Sequence, residues 1–157
     1  MKKKISCLLG LLFLIAFLIP PTFVQARSVT IPSVEIVGTI RKDGTVVIEE
    51  KRTIQFNGDY TFGYYDLANS DKGTITDFVI SDNTGVYRED KGMSKSTGTF
   101  YKENQGDYTR VFYYFNASNE TKTFTINYVI RNSISLYEDY GEFYWKLQGD
   151  KWDFDIG

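Results

Sequence analysis

From residue 34 onward, apolar and polar positions alternate with a period of two, in runs of strand length. "VEIVGTI" (34–40) leads through "RKDG" into "TVVIEEKRTIQF" (45–56), and an Asp-Gly pair between two β-rich runs predicts an antiparallel hairpin. A second turn signal, "NGD" at 57–59, precedes "YTFGYYDL". Three further runs read as strands: "TITDFVIS" (74–81), "YTRVFYYF" (108–115) and "KTFTINYVIR" (122–131). In the last, Phe124, Ile126, Tyr128 and Ile130 alternate with Thr123, Thr125, Asn127 and Val129, the pattern of a strand with one face in a core. The polar segment 89–107 predicts an exposed loop with at most a short strand at 99–102. "YGEFYWKLQG" fits either a short helix or a strand. The expectation is an all-β, mainly antiparallel chain folded as one immunoglobulin-like β-sandwich, with room for one short helix near the C-terminus.

One apolar face is interrupted by charge. Alternation puts Val46, Ile48, Ile54 and Phe56 on one side of their strand, and Glu50 and Arg52 fall on that same side. Two readings are available: a buried ion pair that fixes register, or a strand that runs past the core into solvent. The second is the expectation, because charges are seldom fully buried.

Composition adds a compartment and removes most chemistries. "MKKKISCLLGLLFLIAFLIPPTFVQAR" has a basic start, an apolar run and small residues at Val24 and Ala26, which predicts a secretory signal over residues 1–26 with cleavage between Ala26 and Arg27. Read instead as an anchor, the run reaches the roughly 20 residues needed to span a bilayer only by including Pro20 and Pro21. Residues 27–157 form one expected domain, extracytoplasmic or secreted, with no cysteine and a net charge of −5 (15 basic against 20 acidic side chains). Disulfides are therefore excluded from it, and the absence of a basic stripe argues against nucleic acid as a partner. The whole chain has no histidine, which removes the usual general base and a common zinc ligand.

Beyond composition, the run "IPSVEIVGTIRKDGTVVIEE", the Asn-Gly turn and the ending "FTINYVIRNSISLYEDYGEFYWKLQGDKWDFDI" resemble the bacterial membrane proteins grouped as domain of unknown function 2207. The most specific pieces are "DGTVVIEE", with Glu50 in the family's acidic position, "INYVI" and "EFYWKLQGDKW". The resemblance covers about residues 31–156 and implies an exported N-terminal β domain followed by membrane segments, with no established activity and no catalytic residues to transfer. It also implies a basic residue near the end of "GYYDL", where this chain has Tyr64, Tyr65 and Asp66. Because the family continues past this point into a strand and a membrane helix, the domain is expected to be C-terminally incomplete at Gly157, with "WDFDI" as a strand cut short.

The remaining chemistry is carboxylate and aromatic. Glu138, Asp139 and Glu142 on one side and Asp150, Asp153 and Asp155 on the other have the residue types for glycoside hydrolysis; a solvated acidic surface is the expectation. "DKWDFDIG" misses the calcium-loop spacing, since Ile156 stands where glycine should follow Asp155. No metal or other cofactor motif is present. Tyr140, Tyr144, Trp145 and Trp152 are the candidate interaction surface, although core packing is the default for aromatics in a small β domain and at least one of the two tryptophans is expected to pack inward. The functional expectation is a non-enzymatic, normally membrane-tethered module that contacts an envelope protein or cell-wall polymer. The alternative is a secreted carbohydrate-binding or carbohydrate-cleaving domain built on the same C-terminal aromatics and carboxylates.

Overall fold

A computed structural model describes residues 27–147. The leader with Ala26, and the segment containing Trp152, Asp150, Asp153 and Asp155, lie outside the described residues. Eleven strands follow in order: β1 (Ser28–Ile40), β2 (Val46–Asn57), β3 (Asp59–Ala68), β4 (Thr74–Asp82), β5 (Gly85–Val86), β6 (Arg88–Glu89), β7 (Thr99–Asn104), β8 (Tyr108–Ser118), β9 (Thr121–Arg131), β10 (Ile134–Leu136) and β11 (Gly141–Phe143). They form a five-stranded sheet in the order β1-β2-β9-β4-β5, a four-stranded sheet in the order β3-β8-β7-β6, and the small β10-β11 hairpin. All pairings are antiparallel except the short β6–β7 contact. No helix occurs among the described residues, and the ambiguous stretch opens with β11.

The Asp-Gly signal marks the β1–β2 hairpin. Gly44 takes a left-handed φ of 78°, and Asp43 Oδ1 accepts hydrogen bonds from the Thr45 amide and hydroxyl at 3.0 and 2.7 Å. The second turn does something the sequence pattern left open. Around Gly58 (φ 96°) the chain leaves the first sheet, and β3 pairs with β8 in the second. The β8–β9 turn crosses back beside it: the Gly58 amide donates to Asn119 Oδ1 at 2.8 Å and the Asn119 amide to the Gly58 carbonyl at 3.2 Å. Paired crossings at one end hold the two sheets face to face as a sandwich.

The inner faces share one core. Val46, Ile48, Ile54 and Phe56 of β2 and Phe124, Ile126, Tyr128 and Ile130 of β9 are buried against Tyr65, Leu67, Val111, Tyr113 and Phe115 of the other sheet. Rings cross the interface at Phe56–Phe115 (5.2 Å), Tyr113–Phe124 (5.1 Å) and Phe78–Phe100 (5.3 Å). Such pairs add about 0.5–1.5 kcal/mol each beyond the area they bury. Connectivity departs from the immunoglobulin order, in which the strand between the second and fourth precedes the neighbours of the third. Here that strand, β9, follows both β7 and β8.

The structure corrects the reading of Glu50 and Arg52. Their strand does not run out of the core: the Glu50 side chain has no solvent exposure and that of Arg52 is 13% exposed. The segment 99–104 is also a fuller strand than expected, because all six residues of β7 pair with β8.

Candidate interaction surface

The buried acid is built from both sheets. Glu50 on β2 receives the Tyr65 hydroxyl of β3 on Oε2 at 2.7 Å, and Arg52, two residues along β2, donates from Nε to Oε1. The Arg52 guanidinium lies 4.5 Å from the centre of the Tyr65 ring. Burial, the neighbouring Tyr128 and the Glu50 carboxylate push the Tyr65 phenol far above its usual range. Burial likewise pushes Tyr113 and Tyr128 up to about 12. Both Glu50 oxygens are engaged and the side chain is fully buried, so the arrangement works as a polar clamp between sheets and is closed to a bound molecule.

The surface chemistry lies on the outer face of the second sheet. Neighbouring residues on a strand point to opposite faces, so Tyr65, Val111, Tyr113 and Phe115 go inward while Phe62, Tyr64, Tyr108, Arg110, Phe112 and Tyr114 go outward. Register places Phe62 opposite Tyr114, Tyr64 opposite Phe112 and Asp66 opposite Arg110, and β7 adds Tyr101 opposite Phe112. Tyr101 stacks on Phe112 at 5.0 Å with planes 19° apart and lies 6.2 Å from Tyr114. Tyr114, although 7% exposed, stands apart from the core cluster. Burial and a hydrogen bond with Tyr101 raise its phenol pKa. At the far end Arg110 grips Asp66 through Nε and Nη2, both at 2.8 Å, with its guanidinium 4.3 Å from the Tyr64 ring centre and 5.3 Å from that of Tyr108. The Asp66 hydrogen bonds raise the Arg110 pKa further. Phe62 is 53% and Tyr64 39% exposed.

Sequence reasoning missed this face, although a signal was present. "GYYD" and "VFYYF" place aromatics at adjacent positions. Adjacent aromatics in a strand put rings on both sides of a sheet, where one buried face needs only every second position.

The sequence-expected surface is dispersed among different neighbours. Tyr140 is exposed and stacks on Tyr137 at 4.7 Å in the β10–β11 turn. Tyr144 is 72% exposed, with Lys72 Nζ 5.5 Å from its ring centre. Trp145 is half-buried against the core, and a Cβ on Gly73 would stand 2.8 Å from its Cζ3 atom. Glu138, Asp139 and Glu142 are all exposed. Among the described residues no group of three His, Cys, Asp or Glu is placed to hold a metal ion.

A groove of about 390 Å³ runs along the β4 edge, lined by Leu67, Asn69, Thr76, Asp77, Phe78 and Lys102 among others. Asp77 sits there in a bulge with φ 54°, its carboxyl held below the usual range by hydrogen bonds from the Thr76 hydroxyl and Arg131.

Together these features define an antiparallel two-sheet domain with a polar clamp in its core and its accessible chemistry on a sheet face. The chain belongs to the DUF2207 family: the family model described as predicted membrane protein (DUF2207) N-terminal domain matches residues 30–157. No curated protein and no solved structure matches the chain.

Proposed function

We propose that this domain is a non-catalytic docking module, exported and tethered at the extracytoplasmic side of the cell membrane, that binds an envelope protein through the outer face of its second sheet. The observation that carries the reading is the outward aromatic row ending in the Arg110–Asp66 pair. Protein interfaces concentrate binding energy in Tyr, Trp and Arg, and the aromatic side chains among them supply large area with few rotatable bonds. Arg110 is already held by Asp66 and flanked by two rings, so less side-chain entropy is lost when a partner covers it. The family description as a predicted membrane protein and the leader-like N-terminus support the location.

Photo-crosslinking in intact cells tests it. A photoreactive residue at Tyr64 is expected to trap one partner protein, and one at Gln55, on the outer face of the other sheet, is expected not to. Arg110→Ala should reduce capture at least tenfold with the circular dichroism spectrum unchanged. Equal trapping at both positions, or turnover of a small substrate by the purified chain, overturns the reading.

A carbohydrate-binding reading is favoured by one observation, the exposed Tyr137–Tyr140 stack close in sequence to Tyr144. It requires glycan-array binding that is lost in Tyr140→Ala and retained in Arg110→Ala.

A further inference from the structure

The first sheet ends in β1, which pairs with β2 and has no ladder partner on its other side among the described residues. An open edge is a template for another strand, and proteins blunt such edges with proline, lysine or bulges. In β1 those devices lie at one end: Pro32 and the register shift between Thr30 and Ser33. Residues 34–40 keep unbroken register with β2, carry Glu35 as their one charge, and leave Val37 59% and Ile40 60% exposed. Of the other edges, β4 is interrupted by the shift between Thr76 and Val79 and by β5, β7 is covered by β6 at Thr99 and Phe100 and carries Lys102 and Glu103 beyond it, and β3, after its shift between Tyr60 and Phe62, runs on with Asp66 bound to Arg110.

The exposed stretch is self-complementary. Reading "EIVGTIR" (35–41) outward from Gly38, Val37 is matched by Thr39 of nearly the same shape, Ile36 by Ile40, and Glu35 by Arg41 of opposite charge. We infer that β1 pairs antiparallel with β1 of a second copy of this chain about a two-fold axis at Gly38, continuing the five-stranded sheet across two molecules. In that register each Ile40 meets an Ile36 and each exposed Val37 meets a Thr39. Each Glu35 faces an Arg41, a pair formed twice by symmetry. Gly38 meets Gly38, so no pair of identical side chains is forced together on one face at the axis.

Neighbouring registers lack this match. Centring on Val37 puts Glu35 against Thr39, centring on Ile36 puts it against Val37, and centring on Thr39 brings it to Asp43 of the same charge. The inference concerns an edge of the first sheet and stands independently of the docking face on the second.

Charge exchange tests both association and register. In the full-length chain, sedimentation velocity over a concentration series is expected to show a dimer. Glu35→Arg alone and Arg41→Glu alone should each weaken it about tenfold or more, and the double exchange should restore it. With Cys7→Ser to remove the native thiol, chains carrying Val37→Cys should form disulfides with chains carrying Thr39→Cys far faster than either forms with itself. A monomer at every concentration, a dimer indifferent to both single exchanges, a double exchange that fails to restore it, or disulfide formation insensitive to position overturns the inference.

Discussion

Glu50 shows how one side chain joins two sheets. It lies on β2, is fully buried, and accepts from Arg52 on its own strand and from Tyr65 on β3. A buried carboxylate is tolerated only when its lone pairs are used. Glu50→Ala removes the acceptor shared by two donors and is expected to cost about 3–5 kcal/mol in urea denaturation. Tyr65→Phe, which leaves the ring and removes one donor, should cost about 1–3 kcal/mol. The two losses should be non-additive in a double-mutant cycle, since both act on the same contact. Sequence placed Glu50 and Arg52 on the apolar face correctly and then misjudged their environment. Alternation reports the side of the strand a residue takes, whereas burial depends on whether another sheet covers that side.

Strands carry the second level of organisation. Gly63 on β3 lies opposite Tyr113 of β8, and a Cβ there would stand 2.7 Å from both Cζ and Oη of that buried tyrosine. Tyr113 is packed between Phe115 and Phe124, at 5.7 and 5.1 Å, so its ring has little room to retreat. Gly63→Ala is therefore expected to destabilise the domain by about 1–3 kcal/mol, read as a lower melting temperature, despite the higher strand propensity of alanine. The main strands were legible: the β1–β2 hairpin, β4, β8 and β9 all fall where hydrophobic alternation and turn residues put them. The switch of sheets at Gly58 was not, because a turn signal fixes a change of direction and leaves the pairing partner open. The outer aromatic row escaped for a related reason: rings at adjacent positions reveal two aromatic faces only once inward and outward are assigned.

At the scale of the whole molecule, the core holds several phenols out of water. Tyr65 is pushed above its normal range, and Tyr113 and Tyr128 up to about 12, chiefly by burial. Their folded-state pKa values exceed the unfolded value near 10, so they support folding fully below pH 10. That support is lost as pH rises from about 10 toward 12. Melting temperature is expected to stay level to about pH 9.5 and then fall steeply. Ultraviolet titration should show a set of tyrosines that ionise only with unfolding, and ordinary titration of every tyrosine in the folded state would contradict this.

The sequence alone determined the fold class, the principal strands, the family and the absence of histidine chemistry, because each follows from residue type and local spacing. Tertiary structure decided the rest. It turned a charge pair into a clamp between sheets, made Trp145 an inward-packed tryptophan against Gly73, and gathered Tyr64, Arg110, Phe112 and Tyr101 onto one outward face. These outcomes depend on which strands pair and which sheet face is covered. Such contacts join positions dozens of residues apart, beyond what a period of two can specify.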